Sequence, residues 1–352
     1  MSPSGAELHP LSSVATLVDR HLAALLEVER GRWSSVDPDL DGLHEALTAF
    51  VLDGGKRIRP AFAYWTFLGA GGEAENPAVL DLCSGLELLH AFALLHDDVM
   101  DGSDTRRHHE TAHVSAARRH RGSGWRGESR RYGEGVAILL GDLALTLADR
   151  TLDRLDRTTR SIYGDLKAEL VAGQYLDLLS AARGDLDLDR SRRILVYKSA
   201  RYTVERPMQL GAALAGRHEE LVAAVSRVGA PLGEAFQLRD DVLGVFGSAD
   251  AVGKPVGDDL REGKATMLIS LAAARADEEQ RAELELLGTD LDGATIERLT
   301  DVIRSTGALD LVERRIEELT DLALDELARL PVTEPARAAL AELAAFVGGR
   351  RR

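Results

Sequence analysis

Two short stretches of this chain carry more acid than a structural role explains. Leu94-Leu95-His96-Asp97-Asp98-Val99-Met100-Asp101 closes an apolar run with three carboxylates, and Phe236-Gln237-Leu238-Arg239-Asp240-Asp241 closes another with two. On a helix, Asp97 and Asp101 share a face because they stand four apart. Carboxylates there meet the negative end of the helix dipole, which favours cations instead. Two unit charges 4 Å apart repel by about 4 kcal/mol at an effective dielectric near 20, so the group needs a counter-ion. Magnesium answers that need: it takes oxygen ligands, uses one or two carboxylates and completes its shell with water and phosphate oxygens. The competing reading is a solvated, Asp-rich helix end, and the second acidic pair weighs against it. With the two helix ends facing each other, the cavity between them would suit several metal ions and one polyanion, most simply a diphosphate.

A diphosphate calls for cations as well. Gly54-Gly55-Lys56-Arg57-Ile58-Arg59-Pro60 is a glycine turn, three basic residues and a proline suited to the start of a helix. Free N–H groups and the dipole draw phosphate to helix N-termini, and Lys and Arg add charge and forked donors. On its own such a turn is more often a solvated loop. Arg106, Arg107, Lys198, Lys254 and Lys264 are further candidates.

In combination these stretches resemble the trans-isoprenyl diphosphate synthases, the polyprenyl synthetase family, over residues 43–266. The glycine-basic turn matches the family's GGKRxRP. Glu87-Leu88-Leu89-His90 with the Asp97 stretch matches its first aspartate-rich region, followed by the Arg106-Arg107 pair. Gly173-Gln174-Tyr175-Leu176-Asp177 is similar to its GQxxD segment, Lys198-Ser199 stands where the family usually has Lys-Thr, and the Asp240-Asp241 stretch matches the second aspartate-rich region, with Gly253-Lys254 and Gly257-Asp258 after it. One departure is Gly244, where the usual DDxxD ends in aspartate. Activity is expected to survive it, with one supporting carboxylate missing.

The resemblance implies an all-α, single-domain helical bundle of the isoprenoid synthase type around a central active-site cavity. It implies a magnesium-dependent enzyme that condenses isopentenyl diphosphate head to tail with an allylic diphosphate. Asp97 and Asp101 would hold magnesium against the allylic diphosphate with Asp98 in support; Asp240 would hold a third ion, with Asp241 and Gln237 beside it. Arg106, Lys198 and Lys254 would clamp the allylic diphosphate, with Lys264 a further contact, and Lys56, Arg57, His90 and Arg107 would bind isopentenyl diphosphate. Lys198 and Thr203 would steady the allylic cation. Phe92 and Ala93, five and four residues before Asp97, resemble the pattern of enzymes that make geranylgeranyl diphosphate. The family is usually a homodimer. Rival readings are a class I terpene cyclase, a silent partner subunit, and a farnesyl or longer-chain synthase.

The elements that must position these residues are helices. Residues 79–95 are apolar on nearly every side, which predicts a helix buried all round. Asn76 caps it, Pro77 takes its first position and Gly102 stops it, giving a helix over residues 77–101. The second acidic pair ends a helix beginning near Pro231. Further helical spacing covers residues 14–30, 136–147, 166–179, 197–214, with Pro207 kinking or ending the last, and paired helices over 267–347. Strand signals are absent. Residues 1–12, 117–133 and 248–266 read as disordered or flexible, the middle one being rich in Arg, Gly and Ser with Trp125 as its apolar anchor.

At 352 residues and 45% hydrophobic the chain buries a large core, and an all-helical fold absorbs this length as one domain. A net charge of −15 argues against a nucleic-acid partner and makes the basic residues local devices. Cys83 is the only cysteine, which fits a reducing cytoplasm. No signal-peptide pattern opens the sequence and no apolar stretch reads as a membrane span.

Overall fold

Val14, Val18, Leu22 and Leu26 recur every four residues, and all are buried, so the first segment folds as an amphipathic helix, α1 (His9–Ser34). The computed structural model describes residues 9–247 and 257–349. Its helix begins earlier than the expected end of disorder at residue 12, because Pro10 and Leu11 are buried and the Trp65 indole donates to the Pro10 carbonyl at 3.0 Å. Residues 1–8 lie outside the described residues.

The chain divides into two compact units, one running through Arg160 and including Leu210–Arg217, the other formed by Ser161–Gln209 and everything from His218. The first unit is organised on a long helix. After α2 (Asp41–Leu52) and α3 (Ile58–Gly69) comes α4 (Pro77–Asp101), whose bounds match the sequence reading. The Asn76 side chain accepts from the Ala78 N–H, Pro77 follows, and Gly102 ends the helix in the left-handed conformation, φ 65°. Leu82, Leu86, Leu88, Leu89 and Leu95 are fully buried, each stabilising the unit by about 2 kcal/mol relative to exposure. Among the described residues α4 is the one helix long and apolar enough to cross a membrane, which corrects the expectation of none; it also carries Asp81 and Glu87 before the terminal aspartates, and most of its apolar window is buried inside the protein.

Two further corrections fall in this unit. A two-stranded hairpin, β1 (Thr105–Arg106) and β2 (His109–Glu110), follows α4 where no strand was expected. Residues 117–133 are chiefly helical: they span the end of α5 (Ala112–Gly122) and the start of α6 (Ser129–Leu152). His120, Trp125 and Tyr132 stack there with ring centroids 5.0–6.0 Å apart and fix the turn between the helices. Long-range aromatic contacts supply what the polar local sequence lacks.

Next in the chain are α7 (Arg157–Arg183), α8 (Leu188–Ile194), an eleven-residue π-helical stretch (Leu195–Glu205), α9 (Arg206–Leu214) and α10 (His218–Phe246), which belong to the second unit except for the first turn of α7 and the part of α9 from Leu210. Pro207 falls at the start of α9, just after the π stretch. Pro231, expected to open a helix, lies inside α10: Val225, Val228, Leu232 and Ala235 are buried on both sides of it and carry the helix through the missing N–H. Beyond α10, residues 248–256 lie outside the described residues. The remainder of the flexible stretch expected over 248–266 contains a one-turn helix, α11 (Asp258–Arg261). Then come α12 (Met267–Arg275), α13 (Glu278–Leu284), α14 (Gly293–Ser305), α15 (Ala308–Ala328) and α16 (Glu334–Gly349). Leu238, Val242 and Val245 of α10 bury themselves against Leu268, Ile269, Leu299 and Ile303 in this unit's core.

Candidate active site

In the first unit the end of α4 presents Asp97 and Asp101, half-buried and one turn apart, while Asp98 turns inward and is 1% exposed. The hairpin after Gly102 returns a cation to them. Nε of Arg106 donates to Asp98 Oδ1 at 2.7 Å, Nη2 lies 2.6 Å from the same oxygen, and Nη2 stands 3.6 Å from Asp97. This guanidinium offsets the helix C-terminal dipole and the three carboxylates together. The hairpin's two-residue loop, Arg107-His108, has φ of 50° and 67°, conformations that usually call for Asn or Gly. Strain of this kind persists where surrounding structure holds it, and here Arg107 Nη1 donates to the Asp53 carbonyl at 3.0 Å.

A cationic group lies near His90 in the same unit. Burial, then the charges of Arg59 and Arg107, hold the His90 imidazole well below its ordinary 6.5. Arg107 is itself pushed below its ordinary value, by burial first, against Glu87, and then by Arg106 and Arg57. Burial first, and then neighbouring cations, push both groups toward neutrality, so an anion placed here would be favoured.

Arg57, expected in the same anion site, is directed at groups of the protein itself. It is 4% exposed with left-handed backbone, φ 49°, and its three nitrogens donate to Asp19 Oδ1, Glu87 Oε2 and the Val51 carbonyl, each at 2.7 Å. With all three nitrogens engaged inside the protein it braces this unit. Arg59, given no role from the resemblance, is half-buried and is the first charge acting on His90. Lys56 is exposed in the glycine turn.

In the second unit Asp240 is half-buried on α10, and Asp241 is 3% exposed. Asp241 Oδ1 accepts from Gln237 Nε2 at 2.8 Å and Oδ2 from the Met267 N–H at 3.2 Å, so it ties α10 to the start of α12. Burial, then the Asp259 and Asp240 charges, push its carboxyl up to about 8 against the Gln237 bond. Lys198 Nζ lies 2.5 Å from Asp177 of the GQxxD segment. Gly173 of that segment lets the π stretch come close: a Cβ there would stand 2.7 Å from the Lys198 Cα. Thr203 is fully buried, and Lys264 pairs with Glu262. Lys254 lies outside the described residues.

Residues 41–304 match the polyprenyl synthetase family model. The chain belongs to the polyprenyl synthetase family. It is 30% identical to a geranylfarnesyl diphosphate synthase of Aeropyrum pernix, over 85% of this chain and 91% of that one, and 32% identical to a geranylgeranyl diphosphate synthase of Mycobacterium tuberculosis, over 82% and 79%. The crystal structure of geranylgeranyl pyrophosphate synthase from Corynebacterium glutamicum, complexed with isoprenyl diphosphate and magnesium, superposes with a TM-score of 0.93 at 36% identity, covering 98% of this chain and 100% of that one. This polyprenyl synthetase is a prenyltransferase with the all-α isoprenoid synthase fold.

Among its described residues no group of three or more His, Cys, Asp or Glu side chains stands close enough to enclose a metal. The donor set fits magnesium all the same. Asp97 and Asp101 offer hard oxygens from one helix face, and this ion leaves most of its shell to water and phosphate. Five residues before Asp97, the Phe92 ring stacks on His96 at 4.7 Å and 60°. The His96 ring fills the space a Cβ on Gly141 would need, and Nε2 lies 3.1 Å from the Ile138 carbonyl. Ala93 is half-buried beside Phe92.

Proposed function

We propose that this prenyltransferase joins isopentenyl diphosphate head to tail to an allylic diphosphate with magnesium, and that its main product is geranylgeranyl diphosphate. The observation that carries the product assignment is the order of residues along α4. Phe92 lies about 7.5 Å along the helix axis from Asp97, at 1.5 Å per residue. A prenyl chain growing back along α4 from the carboxylates would meet that ring, whereas Ala93 leaves room.

In this reading Asp97, Asp101 and Asp240 are the magnesium ligands, and Asp98 holds Arg106 in place. Bound magnesium supplies Lewis acidity that favours charge on the departing diphosphate. Arg106, Lys198, Lys254 and Lys264 hold the allylic diphosphate, and Lys56, Arg59, His90 and Arg107 hold that of isopentenyl diphosphate, Arg59 taking the part first expected of Arg57. One C–O bond breaks, one C–C bond forms and one proton leaves. The buried Thr203 and the Lys198 segment turn dipoles toward the allylic cation, and apolar helix faces keep water from it. None of these side chains is an obvious base, so the proton passes to the released diphosphate.

Both units belong to one synthase domain in this account, a reading supported by a family match that runs through them without a break. A homodimer is supported by Ile138 and Leu139 of α6, 43% and 59% exposed. A cytoplasmic setting accords with the lone cysteine.

The test is an incubation of the protein with isopentenyl diphosphate and allylic starters of increasing length, with the dephosphorylated products sized by chromatography. Geranylgeraniol as the main product is expected. A predominance of longer alcohols, as the Aeropyrum relative's name suggests for that enzyme, would overturn the product assignment. Turnover of an allylic diphosphate alone would overturn the condensation.

A further inference from the structure

The turn between α5 and α6 is basic on a chain that is acidic as a whole. Residues 118–131 hold six arginines against one glutamate, Glu128, while the net charge of the chain is −15. All six arginines are exposed. Arg118 pairs with Glu110 at 2.9 Å, Arg130 pairs with Glu134 at 2.7 Å, and Arg119 lies over the Trp125 ring at 5.6 Å. Arg121 meets the Ser129 hydroxyl at 3.4 Å, and neither it nor Arg126 or Arg131 has a carboxylate partner among the described residues. The backbone of the turn is well anchored. His120 is 4% exposed, its Nε2 lies 3.0 Å from the Arg126 carbonyl, and Gly124 and Gly127 take left-handed conformations, φ 63° and 92°, that bring the chain round. At the tip Trp125 stays 44% exposed although it stacks on both His120 and Tyr132.

This turn projects past the aspartate end of α4. The two long helices run antiparallel, since Gly85 packs against Leu152, and His96 against Gly141 and the Ile138 carbonyl. Counted from that second contact at 1.5 Å per residue, Asp101 lies about 8 Å along α4 and Ser129 about 14 Å back along α6. Arginines attract anionic headgroups, and an indole, with its apolar body and polar edge, settles at headgroup level. We propose that the segment over residues 118–131 docks the enzyme on an anionic phospholipid surface, with Trp125 among the headgroups and Arg121, Arg126 and Arg131 on lipid phosphates. A bilayer fits better than a nucleic acid. It is a plane met by one tip, whereas a long polyanion would continue from the turn onto a molecule of net charge −15. The docked enzyme turns the carboxylate end of α4 toward the bilayer, which takes up the hydrocarbon tail of a prenyl product. That use rests on the site reading above; the docking itself does not.

The experiment is co-sedimentation of the full-length protein, without substrate, with vesicles of phosphatidylcholine alone or mixed with an equal part of phosphatidylglycerol. The unaltered protein should bind the mixed vesicles, leave the neutral ones, and come off in high salt. Each basic side chain at such a surface is worth about fivefold in binding, so the triple variant Arg121→Gln/Arg126→Gln/Arg131→Gln should bind about a hundredfold more weakly. Its melting temperature and its condensation rate in vesicle-free solution should stay unchanged. Tryptophan emission should shift to the blue on binding, and Trp125→Phe should lose the shift although Trp33 and Trp65 remain. No binding to the mixed vesicles, equal binding to the neutral ones, or a triple variant that binds as tightly as the unaltered protein overturns the proposal. So does unaltered protein that prefers duplex DNA to the mixed vesicles. A triple variant whose KM for both diphosphates rises without vesicles also overturns it, by making the turn a collector of substrate. Salt-sensitive vesicle binding by a protein that condenses nothing supports the docking surface and overturns the chemistry proposed above.

Discussion

Arg106 directs both Nε and Nη2 at a single oxygen of Asp98, at 2.7 and 2.6 Å. Asp98 is 1% exposed, so this pair fastens the hairpin to the end of α4. Removing one partner of a buried pair strands the other charge, at a cost of about 3–5 kcal/mol. Asp98→Ala should therefore lower unfolding free energy by about 3 kcal/mol, at the low end of that range. Asp97, whose distance to Arg106 is 3.6 Å, should behave in the opposite way: Asp97→Ala abolishes turnover and changes stability by less than about 1 kcal/mol. Urea melts and a condensation assay on both variants separate the roles. Equal stability losses would defeat the distinction.

Arg57 and Arg59 make a second contrasting pair. Arg57 is committed to Asp19, Glu87 and the Val51 carbonyl, and Arg57→Ala should destabilise the protein by about 3–5 kcal/mol, as loss of a buried ionic partner does. Arg59→Ala should melt normally and raise KM for isopentenyl diphosphate by about tenfold, the worth of one charge-assisted hydrogen bond. KM for the allylic partner should stay constant. The reverse pattern would return Arg57 to the substrate and Arg59 to the scaffold.

His90 gives stability a pH dependence of known sign. Its folded value is depressed, by burial and then by Arg59 and Arg107, so below pH 6.5 the unfolded chain takes up a proton that the folded protein refuses. Stability is thus intact above about 6.5 and falls as pH drops below it, by up to about 1.4 kcal/mol per unit. His90→Gln should lose this component of the slope. Unfolding free energies at several pH values between 7.5 and 5 test it, and parallel curves for the two proteins would rule it out.

How much of this could be read in the sequence depends on where the determining contacts lie. The helix ending in Asp97 and Asp101 was legible because its signals are local: Asn76, Pro77 and Gly102 sit at its ends and fix them without help. Residues 117–133 were not, because a ring of His120, Trp125 and Tyr132 stabilises a polar segment through contacts between helices. Arg57 and Arg59 are alike in the motif. Which one turns inward depends on a left-handed residue and on Glu87, thirty positions away. Gly244 reads in the sequence as a missing carboxylate, and only the fold shows the Asp259 side chain occupying the space its Cβ would need. Local chemistry was readable, and the partners supplied by folding were not.

Chain length offers the last prediction. Phe92 stacks on His96, which sits against Gly141 and the Ile138 carbonyl, so the ring is held from the aspartate side by a residue that is itself fixed. Phe92→Ala removes a half-buried ring and leaves that support in place. Stability should fall by less than the roughly 3–5 kcal/mol of a fully buried Phe→Ala change. The space opened lies one turn before the carboxylates, where a growing prenyl chain would otherwise stop. Products should lengthen by at least one isoprene unit, while kcat/KM for the first condensation stays within about threefold, since no group contacting diphosphate changes. Chromatography of the dephosphorylated products measures the first effect and initial rates measure the second. An unchanged product from a folded, active Phe92→Ala variant would remove Phe92 from the floor of the site, and the limit on chain length would have to be sought on another helix.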